Sequence, residues 1–489
     1  MIPENYKSPD PKRFDVSRAT LWFDRFMGWA IRFGGISVII AVFGIFYFIG
    51  KEVIPLFKSA VVEPAGELAK APSTTILGVD EWGEMPFFYS GGKTVTFVNV
   101  DHGERKELEL PGLAAVSVTA MSYDAVHGRM ALGLEDGRVG SFLVNYERTS
   151  GPDGKLQITP TLNEEPWFVL ENGTGPVTAI SYGDSGAGRV LVAKRGQGAA
   201  ASISALRLGI KKSLVGKGKL SLLEEKEIQS DSAGEVTFIR ASPNGAMVLV
   251  AYSSGMVEYF LADSNGISKR QTFKPFDGAP LRQLDFLFGG VSAVMTGADG
   301  RQEQWSLFRP DESGERLFGK TKEFPKLASE PVVFAASQRN RTFLTGTGKD
   351  FSIRHSTSGV VRWSGKIDSS PTLAVLDAKG ENFIVATANG DARRYAIRDP
   401  HPEANWKAFF GKVWYEGGGK PVYQWQSTGG TDDFEPKLSL TPLIFGSLKG
   451  TAYALLFSVP VALLAAVFSA AFLPLEIKRI VKPVMEIMS

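Results

Sequence analysis

The feature that most constrains the fold of this chain is a recurring unit of two apolar stretches joined by a short turn. In each unit a run of apolar residues ends at a small residue, and an alternating run resumes after the turn. Asp136–Gly137 and Asn389–Gly390 are typical hairpin pairs, because Gly adopts positive φ at little cost. The seven turns fall at Gly92, Gly137, Gly198, Gly255, Gly300, Asp350 and Gly390.

The spacing of these turns predicts a β-propeller. Intervals of roughly 40 to 60 residues match the length of one four-stranded blade. Seven units predict seven blades, with six or eight as alternatives because the third unit is poorly marked. A pair of β-sandwiches is the competing fold. The predicted class is therefore mainly β, with a propeller-like domain over residues 75–400.

Two uncharged apolar runs flank this region, and each has about the 20 residues needed to cross a bilayer. The first covers residues 33–50 and the second begins near Gly450 and ends near Leu475. A cleaved signal peptide is the competing interpretation of the first run. The long charged leader and the lack of a small-residue cleavage site favour a retained anchor. We therefore predict a propeller inserted between two transmembrane α-helices.

The second run differs from the first by carrying a small residue at every fourth position. On a helix such positions form one slowly drifting stripe, along which another helix can approach closely. The alternative is that small residues are simply common in membrane helices. Pro460 lies near the middle of the run, where it removes a backbone hydrogen bond and predicts a kink. The stripe consists of Gly446, Gly450, Ala454, Ser458, Ala462, Ala466 and Ala470.

The distribution of basic residues predicts the orientation of the chain. Six Lys and Arg residues precede the first run, three follow it closely, and three follow the second run. Because positive residues favour the cytoplasmic side, both termini are predicted in the cytoplasm of a bacterial cell and the large domain in the periplasm. The basic residues are Lys7, Lys12, Arg13, Arg18, Arg25 and Arg32, then Lys51, Lys58 and Lys70, and finally Lys478, Arg479 and Lys482.

The remaining segments are predicted from composition. Residues 1–32 and 476–489 are expected to be cytoplasmic, and residues 439–475 hold the second membrane helix. Residues 51–74 are predicted as a linker, and residues 401–438 as a return linker. In the return linker, Trp406, Trp414 and Trp425 are available to pack against the propeller or the membrane interface.

A search for chemistry in the sequence predicts no catalytic residue, no metal site and no cofactor. The absence of Cys excludes disulfides and thiolate chemistry, and the four His residues lack metal-ligand spacing. Residues 183–188, GDSGAG, superficially resemble a serine-protease segment, but no His and Asp partner is evident. Arg393 and Arg394 point to opposite faces of a strand, so a solvated strand is the prediction there. A formal net charge of +2 gives no support for nucleic-acid binding.

The last fifty residues begin with TPLIFGSL at residues 441–448, continue through a central Val459–Pro460 pair, and end with Lys482, Pro483 and Glu486. This pattern resembles the start of the transport core of ABC-type phosphate permeases. The segment VIPLF at residues 53–57 also resembles the exit of the first helix in a subgroup with a large periplasmic insertion. The positions that carry the main resemblance are Thr441, Pro442, Leu443, Ile444, Phe445, Gly446, Ser447 and Leu448, then Val459 and Pro460, and then Lys482, Pro483 and Glu486.

The resemblance implies partners that the chain itself does not encode. These are a second permease subunit, cytoplasmic ATPase subunits and a periplasmic phosphate-binding protein, in addition to the lipid bilayer. Family members continue with further membrane helices, so the resemblance implies a fragment or truncated product that does not transport alone. The leading hypothesis is thus a permease component of an ATP-driven phosphate importer, with the propeller as an interaction platform. The alternative is a two-pass propeller scaffold or assembly protein, and a propeller hydrolase comes third.

Overall fold

The computed structural model describes residues 17–68, 73–113, 116–150, 156–185, 188–198, 201–211, 219–229, 234–310, 314–328, 331–431 and 433–488. The chain divides into two units, Met1–Lys58 and Ser59–Ser489. In the first unit, helix α1 spans Arg18–Val53 and a 3₁₀ turn spans Ile54–Phe57. Lys7, Lys12, Arg13 and Lys70, which entered the orientation argument, lie outside the described residues.

Over its described residues the second unit contains seven blades, six of four strands and one of five, which confirms the predicted mainly β class and the seven-bladed propeller. The first strands in the chain are β1 Val61–Glu67, β2 Ile76–Gly78, β3 Phe87–Tyr89, β4 Thr94–Val98, β5 Arg105–Glu109, β6 Val118–Asp124, β7 Arg129–Leu134, β8 Arg138–Ser150, β9 Leu156–Glu164, β10 Phe168–Val169, β11 Val177–Asp184, β12 Arg189–Arg195, β13 Ser202–Lys211 and β14 Lys219–Glu227. The later strands are β15 Val236–Ala241, β16 Met247–Tyr252, β17 Val257–Asp263, β18 Gly266–Phe273, β19 Leu281–Phe286, β20 Ser292–Gly297, β21 Gln302–Phe308, β22 Leu317–Phe324, β23 Val332–Ala336, β24 Thr342–Thr347, β25 Asp350–His355, β26 Val360–Lys366, β27 Leu373–Leu376, β28 Asn382–Ala386 and β29 Ala392–Arg398.

Most blades consist of four antiparallel strands in chain order. This holds for β2–β5, β11–β14, β15–β18, β19–β22 and β23–β26. In the second blade the long strand β8 pairs with both β9 and β10, so its outer strand is split in two. The seventh blade has the order β27-β28-β29-β1, and its outermost strand therefore comes from the start of the unit.

The pairing of β1 with β29 corrects the predicted linker over residues 51–74. The two strands are antiparallel, with Val61 opposite Arg398 and Glu67 opposite Arg393. Pro64 lies within β1, and Pro is tolerated there because an outermost strand does not need every N–H for the sheet. The early strand closes the ring, so hydrogen bonds join the first and last propeller strands of the chain.

The core lies between neighbouring blades. The seven interfaces each contain a cluster of buried apolar side chains. All six residues of β16, β20 and β24 are buried, because these second strands have a blade on each side. Burial on both faces explains why the apolar runs in the sequence are continuous instead of alternating.

The predicted turns join the second and third strands of the blades. Gly137, Gly255, Gly300 and Gly390 have positive φ, as their hairpin positions require. In the first blade positive φ belongs to Gly91 and not to the predicted Gly92, and in the sixth blade the turn before Asp350 uses Gly348. The local turn chemistry was therefore predicted correctly, with shifts of one or two residues.

A repeated irregularity in the first strands was not predicted. The register shifts after Val118, Val177, Val236 and Leu281, at the same place in four blades. In three of these blades a Thr follows, and its hydroxyl donates to a backbone carbonyl: Thr119 to Val177 of the next blade, Thr178 to Gly196 and Thr237 to Ala251. The sequence signal was the recurring Val-Thr pair.

The return segment, residues 401–440, contains short elements before the second apolar helix. Helix α2 spans Trp406–Phe410, and strands β30 Trp425–Gln426 and β31 Lys437–Leu438 pair with each other. Helix α3 spans Thr441–Ala471 with Pro460 in its interior, and α4 spans Leu475–Met488. Among the described residues, α1 and α3 are long and apolar enough to cross a membrane.

Candidate functional site

The first strands of all seven blades enclose a central cavity of about 380 Å³. Its charged side chains are paired: Arg240 lies 2.9 Å from Asp285, and Asp124 lies 2.7 Å from His127. The hydroxyl of Ser181 accepts a hydrogen bond from the backbone N–H of Ala241. The Arg240–Asp285 pair and the Ser181 hydroxyl thus link neighbouring blades, and the Asp124–His127 pair lies within the second blade.

A second cavity, of about 580 Å³, lies beside the first and Tyr123 lines both. Asp80 lines it and accepts backbone hydrogen bonds from Trp82, Glu84 and Met85. Burial raises the pKa of Asp80, and these N–H donors oppose the shift. Among the described residues, no group of three or more His, Asp and Glu side chains could hold a metal ion.

The segment GDSGAG has a structural role where it is described. The buried Asp184 pairs with Arg129 at 2.6 Å and lies 3.1 Å from Arg189. Ser185 exchanges hydrogen bonds with the backbone of Gly188, which closes a tight loop. Positions 186 and 187 of the segment lie outside the described residues. The interblade ion pair explains Asp184 without any catalytic role.

Arg393 and Arg394 have separate partners in the last blade. Arg393 lies 2.6 Å from Glu67 on β1, and Arg394 donates to Asn382. The two guanidinium groups therefore do not form one anion site. Arg393 instead links β29 to the strand that closes the ring.

The return segment is bound to the fifth and sixth blades and is not a free linker. The carboxylate of Glu416 pairs with Arg341 at 2.7 Å and accepts a hydrogen bond from Ser292. Glu435 accepts hydrogen bonds from Thr357 and from the backbone N–H of Glu416. These contacts join the segment to side chains from β20 and from the loops before β24 and after β25.

This polar cluster shifts the pKa values of its members. Burial raises the pKa of Glu416 to about 7, while Arg341 opposes the shift. Burial lowers the pKa of Lys322, whose ammonium donates to the carbonyl of Trp414, and lowers that of His355 to about 3. The cluster is therefore a buried anchor for the return segment, and its stability depends on protonation.

The three Trp residues of the return segment divide between two environments. Trp414 packs against Phe308 of the propeller, with ring centroids 5.4 Å apart. Trp406 and Trp425 remain exposed. Packing against the propeller is thus observed for one of the three.

Helix α3 has no buried residue among its 31 residues. All seven small residues of the predicted stripe are exposed. A methyl group added at Gly446 or at Gly450 would have no atom within 4 Å. Helix packing along the stripe, and the kink at Pro460, therefore stay predictions.

The positions that resemble phosphate permeases fall in α3 and α4. Thr441 and Pro442 begin α3, where Pro suits the first turn because its missing N–H would have no helical partner. Lys482, Pro483 and Glu486 belong to the backbone of α4, but the placement of their side chains lies outside what the structure describes.

Both chain connections of the propeller unit lie beside one residue of the sixth blade. The N–H of Ala60, just before β1, donates to the carbonyl of Arg362 on β26. The side chain of Arg362 donates to the carbonyl of Ala404, just before α2. The N–H of Leu440, just before α3, donates to the carbonyl of Phe409 within α2. The segments next to the two apolar helices are therefore neighbours in this unit.

Comparisons with known proteins identify no family. No protein-family model matches the chain, and no curated protein matches its sequence. Solved structures with a similar fold include a chain of the mitotic checkpoint complex, with 12% identity and a TM-score of 0.43 over 69% of this chain and 95% of that chain. The Cps50 (Swd1) β-propeller domain of Myceliophteria thermophila has 10% identity and a TM-score of 0.46 over 69% and 100% of the two chains. Chaetomium thermophilum Raptor has 11% identity and a TM-score of 0.47 over 71% and 29%.

Proposed function

We propose that this chain is a membrane-anchored propeller that acts as a scaffold for other proteins. The observation that carries the proposal is the shared position of the two chain connections beside Arg362, with an apolar helix next to each in the sequence. A propeller attached in this way presents its remaining blades and its central cavity to partners. The absence of Cys makes the proposal testable, because single introduced Cys residues can be labelled cleanly.

The orientation under this proposal follows the positive residues. Arg25 and Arg32 on α1, and Lys478 and Arg479 on α4, would lie on the cytoplasmic side, and the propeller on the periplasmic side of a bacterial inner membrane. In spheroplasts, an impermeant maleimide should label Cys at position 223 of the propeller without lysis. It should label Cys at position 479 only after lysis. Labelling of both positions without lysis would contradict the orientation.

A second candidate function is favoured by the tail. The positions Thr441, Pro442 and Pro460 suggest that the scaffold belongs to an ATP-driven phosphate importer. Its partners would be a second permease subunit, the ATPase subunits and a periplasmic phosphate-binding protein. Mild detergent extraction of native membranes followed by purification tests this candidate. Recovery of a permease and an ATPase in fixed ratio would favour it, and their consistent absence would favour a scaffold without transport.

A further inference from the structure

Four exposed aromatic side chains surround the start of α3. We call them the aromatic collar: Trp406, Phe410, Tyr423 and Trp425. Trp406 is 66% exposed and the other three are each 42% exposed. Trp406 also contacts Phe410, with ring centroids 5.4 Å apart. Among the described residues of the propeller, the large exposed apolar side chains are aliphatic, namely Val61, Val126, Val169, Ile210, Leu223 and Val361.

Backbone hydrogen bonds place the collar around the start of the helix. The N–H of Leu440 donates to the carbonyl of Phe409, the neighbour of Phe410. The N–H of Ser439 donates to the carbonyl of Gln424, which lies between Tyr423 and Trp425. Trp425 also pairs with Leu438 across the β30–β31 ladder. Two short stretches of chain therefore meet the residues just before α3.

The segment that carries the collar is fixed to the propeller by buried side chains and an ion pair. Asn405 caps α2 by accepting the N–H of Ala408, and Phe409 is buried. Val413 and Tyr415 are buried between the collar stretches. The Glu416–Arg341 ion pair then attaches the segment to the propeller. The aromatic rings thus belong to a segment that is packed and ion-paired against the propeller, and not to a free linker.

Basic side chains accompany these rings. Lys407, Lys412 and Lys420 are exposed in the same segment, and the Lys412 ammonium lies 5.6 Å from the Tyr423 ring centroid. Amphipathic aromatic rings with neighbouring Lys residues at the end of an apolar helix are typical of the headgroup layer of a membrane. The apolar span of α3 follows these side chains directly in the sequence.

We propose that the aromatic collar inserts into the headgroup layer of the bilayer that α3 crosses, so that the propeller rests on the membrane through its return segment. This inference depends on the proposed membrane anchoring. The occupant of the collar is the lipid interface itself, because the collar is continuous with α3 and its Lys residues complement lipid phosphates. Insertion of the collar would then restrict rotation of the propeller relative to α3.

Spin-label accessibility in the full chain, reconstituted in liposomes of phosphatidylcholine and phosphatidylglycerol, tests the proposal. Nitroxides are placed on single Cys variants Trp406→Cys, Tyr423→Cys and Trp425→Cys. Ile210→Cys on the third blade is the matched exposed control, and Leu456→Cys on α3 is the depth reference. Collar labels should be several-fold less accessible to a soluble nickel chelate than the Ile210→Cys label, and more accessible to oxygen. The Leu456→Cys label should lie deeper than all of them.

Three other results of the spin-label experiment would contradict the proposal, each in a different way. Nickel access at the collar equal to the control, with the Leu456→Cys label deep, would overturn the collar proposal and leave the membrane anchoring intact. Nickel access at position 456 would overturn the anchoring itself. Shielding of the collar from both reagents would indicate cover by a second copy or another protein, which also contradicts lipid insertion.

A measurement without substitutions guards against perturbation by the labels. Hydroxyl-radical oxidation of the unsubstituted protein in the same liposomes should modify Trp406 and Trp425 more slowly than their exposure predicts. Oxidation at the rate expected for open side chains would overturn insertion of the collar.

Discussion

The propeller and helix α3 differ in whether their apolar side chains are buried. Each of the seven blade interfaces contains its own buried cluster, whereas α3 buries none of its residues. At about 25 cal/mol per Å² of apolar surface removed from water, the propeller has a driving force for folding within its own sequence. The helix gains such stabilisation only from lipid or from other helices. The propeller buries its apolar side chains against its own residues, whereas α3 can bury its side chains only against lipid or other helices.

The largest expected effect comes from truncating an interblade side chain. Phe383 is fully buried and stacks on Tyr395 with ring centroids 4.9 Å apart. Phe383→Ala should lower the free energy of unfolding of the propeller by about 3–5 kcal/mol, because it leaves a cavity. Denaturant unfolding of the full chain in mild detergent measures the effect. Leu456→Ala on α3 is the control and should change propeller unfolding little; comparable losses would remove the distinction between the regions.

A second effect should come from the support of the return segment. Above pH 7, where Glu416 is ionised beside Arg341, Arg341→Met leaves this carboxylate buried without its partner, which should cost about 3 kcal/mol. Hydrogen exchange of the β30–β31 ladder should rise with it, because the segment loses an attachment. The double variant Arg341→Met/Glu416→Leu should regain much of the loss. A double variant as unstable as the single one would mean that the ion pair does not hold the segment.

The third effect is a pH dependence of the same anchor. Folded Glu416 keeps its proton to about pH 7, whereas the unfolded chain releases it near 4.5. The stabilisation from this carboxyl is therefore complete below pH 4.5 and is lost as pH rises to about 7. His355 acts in the opposite direction, because its pKa falls from 6.5 to about 3 and its contribution is lost as pH falls through this range.

Comparison with Glu416→Gln separates the two groups. The unfolding free energy of the unsubstituted chain, minus that of the variant, should fall by about 3 kcal/mol from pH 4.5 to pH 7. It should become constant about one pH unit above the folded pKa. Denaturant unfolding at matched ionic strength measures it, and a difference that does not change with pH would refute the pKa shift.

The smallest effect contrasts two glycines. Gly255 has φ of +75°, and a methyl group there would lie 2.3 Å from the backbone of Gly278. Gly255→Ala should therefore destabilise the propeller by about 1 kcal/mol or more. Gly450→Ala on α3 meets open space and should leave propeller unfolding unchanged. Equal effects in denaturant unfolding would show that the helix is not independent of the propeller core.

How much the sequence could predict depends on the distance over which a signal acts. The blade turns were predicted well, since positive φ at residues such as Gly137 is a local property. The pairing of β1 with β29 was missed, because its partners lie more than three hundred residues apart in the chain. The anchor of the return segment was not predicted for the same reason, since Glu416 and Arg341 meet only in the folded chain.

For α3 the sequence and the structure provide complementary information. The sequence predicts the small-residue stripe, and the structure leaves its positions uncovered. The collar could have been suspected from Trp406 and Trp425, but the contributions of Phe410 and Tyr423 depend on how the segment folds back on itself.

Photo-crosslinking along α3 in native membranes tests whether the small-residue stripe packs against other membrane proteins. A crosslinking amino acid is placed at Ser458 or Ala462 on the stripe, and at Leu456 or Leu464, which lie almost opposite on the helix. We expect discrete crosslinks to other membrane proteins from the stripe positions and lipid adducts from the opposite face. Lipid adducts alone from both faces would contradict it and would reduce α3 to a simple tether.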